Sequence, residues 1–407
     1  MRRMSGRDPD EESRVATPLE LLFDLTFVVG FGVAASEFTH TLAEDQVGYG
    51  LIGFAFATFA VWWAWINFSW FASAYDTDDW VYRVTTMVQM VGVIILALGV
   101  PQMFASIRDG QHLDIRVMVG GYVVMRVAMV AQWLRAARQD PERRRACLTY
   151  AVAITVAQFG WLGMIFVNAP VRTTLLLMLP LFVVELAGPW LAETRVARTP
   201  WHAHHIVERY GLLTIIALGE GVVGTVASLS AVVAEGGWTV DAVLVAVAGI
   251  GLTFGMWWTY YVLPAAPLLE AHRERSFVFG YVHFGVIVPI VAVGAGLHAA
   301  AYYIEHHSRL GSVNTVLSVA IPVSVFIAAV YLLYMLIART VDPFHVLLVA
   351  LTAVVLATAV GLAAAGLPVP VCLVIVTLAP MVTIVGFELV GHRHAAEAIS
   401  RTLAEDG

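Results

Sequence analysis

The chain has 407 residues, of which 59% are hydrophobic and 13% charged, with a formal net charge of −7. A soluble domain carries roughly 25% charged residues, so this composition excludes a fold that hides its apolar surface from water. The acidic balance, without clustered cations, also excludes a nucleic-acid surface. Two cysteines, Cys147 and Cys372, lie far apart in apolar runs and form neither a CxxC nor a metal-ligand spacing, so they read as buried apolar residues.

The first eighteen residues mix Arg with Asp and Glu and lack an apolar core, which predicts a tail at 1–18 and not a cleaved signal peptide. Apolar runs long enough to cross a hydrocarbon layer of about 30 Å then recur almost to the C-terminus. They predict an all-α membrane protein with twelve helices over 19–40, 49–73, 83–105, 116–137, 146–168, 172–192, 206–231, 239–263, 276–301, 312–338, 344–366 and 368–391. A second tail is expected at 393–407.

A charge at mid-bilayer costs at least ~2.5 to 3.5 kcal/mol on insertion scales, so polar residues inside these runs mark function or a specific partner. In PLELLFDLTFVV, Glu20 and Asp24 are four apart and share one helix face. Glu20 behind Pro18 suits a first-turn cap, whereas Asp24, a turn deeper, suits a bound cation or a shared proton. In WWAWINFSWF the tryptophans suit interface and packing, leaving Asn67 as the polar candidate. SAYDTDDWVYR sets Asp76, Asp78 and Asp79 before Arg83. It has the oxygen density of a cation loop without the glycine and final glutamate of an EF-hand, so a solvated acidic turn is expected.

Arg126, in YVVMRVAMV, is nine residues from Arg135, roughly 13 Å along a helix. In WHAHHIVERYGLLT, His205 and Glu208 share a face at the mouth of the seventh helix, and Glu220 follows roughly 18 Å further on. Matching depth predicts a buried pair between Arg126 and Glu220, serving as a gate or as a static clamp. Asn67, Gln89, Glu185, His283, Glu388 and His392 fall in one half of the membrane depth and suggest a wet vestibule there. His283 alone suits a helix-to-helix hydrogen bond. No HExxH, Walker A, GxSxG or dinucleotide fingerprint occurs, so no metal, cofactor or catalytic set is expected.

All basic charge is arginine, because the sequence has no lysine. With twelve spans and the N-terminus inside, eighteen arginines fall on the cytoplasmic side, including Arg83, Arg135 and Arg209, and four fall outside, which predicts cytoplasmic termini. The two halves, 19–195 and 196–392, also echo each other: Trp62 to Gly99 is 37 residues, as is Trp257 to Gly294, with VIILALG and VPIVAVG around the glycines. Six helices per half implies a parallel duplication.

PLELLFDLTFVV, WWAWINFSWFASAYDTDDWVYR and HHIVERYGLLTIIALGE resemble the bacterial low temperature requirement A (LtrA) family, over nearly the whole chain. The resemblance implies a multi-pass bacterial inner-membrane protein without an established substrate, and carries over Glu20, Phe23, Asp24, Asn67, Asp76, Asp78, Asp79, Arg83, His205, Glu208, Gly219 and Glu220 as motif positions. A weaker similarity, through Phe23-Asp24, is to potassium channels with an R-x-x-x-F-S-D motif whose serine and arginine this chain lacks. The leading expectation is a secondary transporter of a small solute or ion, with lipid around it and a site near Asp24, Arg126, Glu208 and Glu220. The alternatives are a cation channel, or an intramembrane enzyme acting on a lipid-linked substrate through His205, Glu208, His283 and Glu388.

Overall fold

The computed structural model describes residues 2–11, 14–394, 396 and 400. Most of the expected tail at 393–407, with Arg401, lies outside them. Among the described residues there is no strand, and twelve helices are long and apolar enough to cross a membrane. In chain order the helices are α1 Pro18–Ala43, α2 Val47–Tyr75, α3 Trp80–Asp109, α4 Arg116–Gln139, α5 Arg144–Met164, α6 Val171–Leu191 and α7 Ala203–Gly236. There follow α8 Val240–Tyr261, α9 Ala265–Ala271, α10 Ser276–Val282, α11 Phe284–Ile304, α12 Ser312–Ala338, α13 Pro343–Ala364 and α14 Val369–Gly386.

The twelve expected spans are all present. The short helix α9 occupies what reads as a loop, and the ninth span, expected as one helix, is broken at His283 into α10 and α11. There the His283 Nδ1–H donates to the Phe279 carbonyl at 2.6 Å, taking an acceptor that the helix would otherwise use, and Nε2 then accepts from the Tyr260 hydroxyl at 3.0 Å. His283 is thus an interhelical link and the site of the break.

The chain forms two compact units, Met1–Glu37 with Leu51–Arg209, and Phe38–Gly50 with Tyr210–Gly407. Helices α1, α2 and α7 are each divided between them.

In the first unit α3 and α4 approach closely because glycine faces glycine: a Cβ on Gly121 would meet the Gly92 carbonyl and the Leu96 backbone. Such small-residue contacts are how helices associate when lipid removes the hydrophobic drive. Gln89 and Gln132 add a link between the same two helices at 2.8 Å. The second unit repeats the device between α7 and α11, where a Cβ on Gly294 would strike the Glu220 backbone. Large apolar side chains such as Leu98 and Phe159 point outward, as they must toward lipid. The echoing tryptophans differ in setting: Trp62 and Trp63 are buried, whereas Trp257 and Trp258 are nearly half exposed.

The N-terminal segment is laid along the first unit by its backbone. Met4 N donates to the Gln139 side chain, Gly6 N to Asp140, Arg7 N to the Ala74 carbonyl and Ala16 N to Glu208. His202 Nε2 holds the Glu11 carbonyl at 2.9 Å.

Candidate functional site

Glu20 begins as a helix cap. Thr17 N donates to its Oε2 at 2.7 Å while Glu20 N donates to Thr17 Oγ1 at 3.3 Å, a reciprocal capping box at the start of α1. The same carboxylate faces inward, one turn above Asp24, and both side chains are fully buried. Opposite them the first turns of α7 present His205 and Arg209, also four apart and also fully buried.

Arg209 binds both carboxylates. Its Nη2 donates to Asp24 Oδ1 at 2.5 Å and its Nε to Asp24 Oδ2 at 3.2 Å, the bidentate geometry that a guanidinium favours. Its Nη1 lies 3.0 Å from Glu20 Oε1. His205 Nε2 stands 3.2 Å from the same oxygen. From α2, Trp65 Nε1 donates to Asp24 Oδ1 at 2.6 Å. Phe68 and Trp65 lie under the guanidinium, and Phe23 stacks on Phe68 at 3.9 Å, so an aromatic floor keeps water out.

Several polar atoms of this cluster have no hydrogen-bond partner. These are His205 Nδ1, the Tyr82 hydroxyl and Nε of Arg14. Arg14 reaches in from the N-terminal segment, its side chain only 2% exposed, with Nη2 on the Ala72 carbonyl and 4.0 Å from Glu20. Burial draws its guanidinium below the ordinary value against the opposing pull of Glu20. Asp76, in the α2–α3 loop, is raised to about 6, first by burial and then by the charge of Glu20.

The acidic loop itself is a set of local devices. Asp76 accepts from Asp78 N at 2.8 Å, Asp78 takes a left-handed φ of 45° and pairs with exposed Arg83, and Asp79 caps α3 through Tyr82 N. The hydrogen bond from Arg135 to Asp79 holds that carboxyl at about 2. Among the described residues no group of three or more His, Cys, Asp or Glu side chains gathers as a metal site.

A second buried cluster lies in the same unit. Glu185 of α6 accepts from Trp63 Nε1 at 2.7 Å, Trp161 Nε1 at 3.1 Å, the Tyr122 hydroxyl at 2.8 Å and Arg126 Nη2 at 3.5 Å. The pairing expected between Arg126 and Glu220 is corrected here: the carboxylate of Arg126 is Glu185. The physical reason is register. Helices α4, α5 and α6 are successive, and Glu185 is eight residues short of Glu193, roughly 12 Å, which matches the depth of Arg126. Glu220, in the second unit, makes no hydrogen bond or ion pair among the described residues, and Gly219 beside it has open space at its Cα.

The remaining candidates separate. Glu208 touches the cluster's rim, accepting from Ala16 N at 3.1 Å. Asn67 turns back onto its own helix, donating to the Trp63 carbonyl. Glu388 is exposed in the π turn Phe387–Gly391. The sequence reading missed Arg209, counting it with the cytoplasmic-side arginines although it falls within the expected helix 206–231, and missed Trp65, Arg14 and Tyr82 as site residues; the signal for Arg209 was its i, i+4 spacing from His205.

The family model of the bacterial low temperature requirement A protein matches residues 15–380. An uncharacterized protein of Rhizobium meliloti (strain 1021) is 23% identical over 329 residues, covering 77% of this chain and 75% of that protein. No solved structure matches.

Proposed function

The chain belongs to the bacterial low temperature requirement A family, and from that premise we propose that it is a proton-coupled secondary transporter of the inner membrane, with both termini in the cytoplasm. The observation that carries the reading is Arg209 shared between Glu20 and Asp24 in full burial while His205 Nδ1 and the Tyr82 hydroxyl beside them lack hydrogen-bond partners. A clamp serving stability alone satisfies its polar atoms, because each orphan costs ~1 to 3 kcal/mol. Two carboxylates sharing one guanidinium form a switch: a proton on one releases Arg209 to the other, and the orphaned atoms await a partner in a second state. The matching spacings of the two halves support a duplicated carrier built as six plus six helices, split at about residue 195.

The test uses proteoliposomes with an entrapped pH dye, screened with organic cations, alkali cations, amino acids and sugars. Solute-dependent proton movement is expected in the parent, lost in Asp24→Asn and Glu20→Gln and kept in Arg83→Gln. Solute flux unchanged by both carboxylate changes would overturn the reading, and current without proton movement would replace it with a cation channel.

A further inference from the structure

We infer that the first unit seats the phosphate of an anionic phospholipid between α3 and α4, at the membrane boundary where α3 begins and α4 ends. A cavity of about 270 Å³ opens there, large enough for a phosphate ester, and Thr85, Ala131, Gln132, Arg135, Arg138 and Gln139 line it.

The side-chain acceptors of this lining are already engaged. Gln132 Oε1 accepts from Gln89 at 2.8 Å, and Gln132 Nε2 donates at 3.0 Å to the Thr85 hydroxyl, whose own proton goes to the Val81 carbonyl at 2.8 Å. Gln139 Oε1 accepts from Met4 N at 2.6 Å. Arg135 spends its charge on Asp79, with Nη1 at 3.0 Å. What is left over is donors. The exposed guanidinium of Arg138 and Nε2 of Gln139 make no hydrogen bond or ion pair among the described residues. Arg3 Nε donates to the Gln139 carbonyl at 3.1 Å, which brings a second exposed guanidinium to the rim. Among the described residues no carboxylate lines the cavity. Free donors and an uncompensated guanidinium select an anion, and the planar fork of arginine matches the oxygens of a phosphate.

The apolar surface below the seat identifies the source of that phosphate. On α4, Arg138, Arg135, Ala131 and Val127 follow three, four and four residues apart, one stripe of the helix. On α3, Val81, Thr85 and Val88 form the facing stripe, and both Val88 and Val127 are exposed. The polar seat therefore passes into an apolar, lipid-facing furrow. Arg138 to Val127 spans roughly 16 Å along the helix, close to the depth of one leaflet of a hydrocarbon core of about 30 Å. A soluble phosphate would fill the seat and leave the furrow bare, whereas a phospholipid covers both. Basic pockets between helices at headgroup depth are where anionic lipids are held.

The experiment counts lipid bound to the purified full chain by native mass spectrometry, titrating phosphatidylglycerol and phosphatidylcholine separately, with inorganic phosphate as the soluble probe. Phosphatidylglycerol is expected to bind at least about fivefold more tightly than phosphatidylcholine, the worth of one interfacial arginine. Arg138 is exposed and unpaired, so Arg138→Gln should leave the fold intact and bring the two lipids to equal affinity. Ala131→Phe keeps every charge but fills the cavity, and should also remove the preference. Arg145→Gln takes away an exposed arginine outside the lining and should leave the preference unchanged. A preference that survives Arg138→Gln or Ala131→Phe overturns the inference. So does one that Arg145→Gln lowers as much as Arg138→Gln, because the attraction would then belong to the whole basic face. Inorganic phosphate bound as tightly as phosphatidylglycerol, and lost in Arg138→Gln, would give the seat to a soluble anion and overturn the lipid assignment.

Discussion

Arg209 is the residue on which the buried carboxylates depend, and a double-mutant cycle with Asp24 measures that dependence. In Arg209→Gln, Glu20 and Asp24 stay fully buried and lose their bidentate and 3.0 Å partners. Breaking a buried pair by removing one side costs ~3 to 5 kcal/mol. In Asp24→Asn the amide oxygen still accepts from Trp65 and Arg209, and Arg209 keeps Glu20, so the loss is that of a charge-assisted bond, ~1.5 to 3 kcal/mol. The double variant removes one charge of each sign and leaves Glu20 with His205. It is expected to cost at least ~2 kcal/mol less than the sum of the singles. The assay is SDS titration in bicelles, followed by tryptophan fluorescence. Additivity within about 0.5 kcal/mol would refute the reasoning, because it would mean that Arg209 and Asp24 do not act as a unit.

Asp76 sets a pH dependence outside the membrane. Its folded value, raised to about 6, exceeds that of the unfolded chain, so the stability it contributes is present below about pH 4 and is lost as pH rises through 6. Asp76→Asn should flatten that slope and stabilise the protein at neutral pH by up to ~3 kcal/mol, measured as the shift in denaturation midpoint at pH 4 and pH 8. Asp79 has the opposite sign: its contribution is present above about pH 4 and lost as pH falls through about 2, and Arg135→Gln should abolish it in an acid titration. Gly121→Ala should destabilise by ~1 to 3 kcal/mol, since its Cβ meets backbone of α3 that cannot rotate away; an unchanged midpoint would show that α3 and α4 can separate freely. Arg126→Leu alone should be less stable than the paired Arg126→Leu and Glu185→Gln variant, compared in the same titration.

The spans were legible because apolar length is a one-dimensional property, and a run of twenty such residues has few alternatives. Glu20 and Asp24 were legible for the same local reason, a four-residue spacing on one face. Arg209 was not, because counting arginines by loop places any cation near a helix start in water, and only the packing of α7 against α1 shows otherwise. The partner of Arg126 was a matter of choosing between carboxylates, and Glu185 at roughly 12 Å matches the roughly 13 Å of Arg126 more closely than Glu220 at roughly 18 Å. Succession along the chain favoured Glu185, since α4, α5 and α6 are consecutive. The break at His283 was invisible because a side chain, not a proline or glycine, takes the helical carbonyl.

Asp24 of α1 and the guanidinium of α7 that neutralises it are 185 residues apart in the order of synthesis. At about 5 to 20 residues per second, Asp24 enters the bilayer roughly 10 to 40 s before Arg209 leaves the ribosome. For that interval α1 must either carry its acids protonated or wait beside the insertion machinery, and the N-terminal segment, made first, can dock only after Gln139, Asp140 and Glu208 exist. The birth of this protein therefore proceeds with its most polar helix unfinished, and a variant that delays α7 should be cleared by quality control before its activity can be asked about.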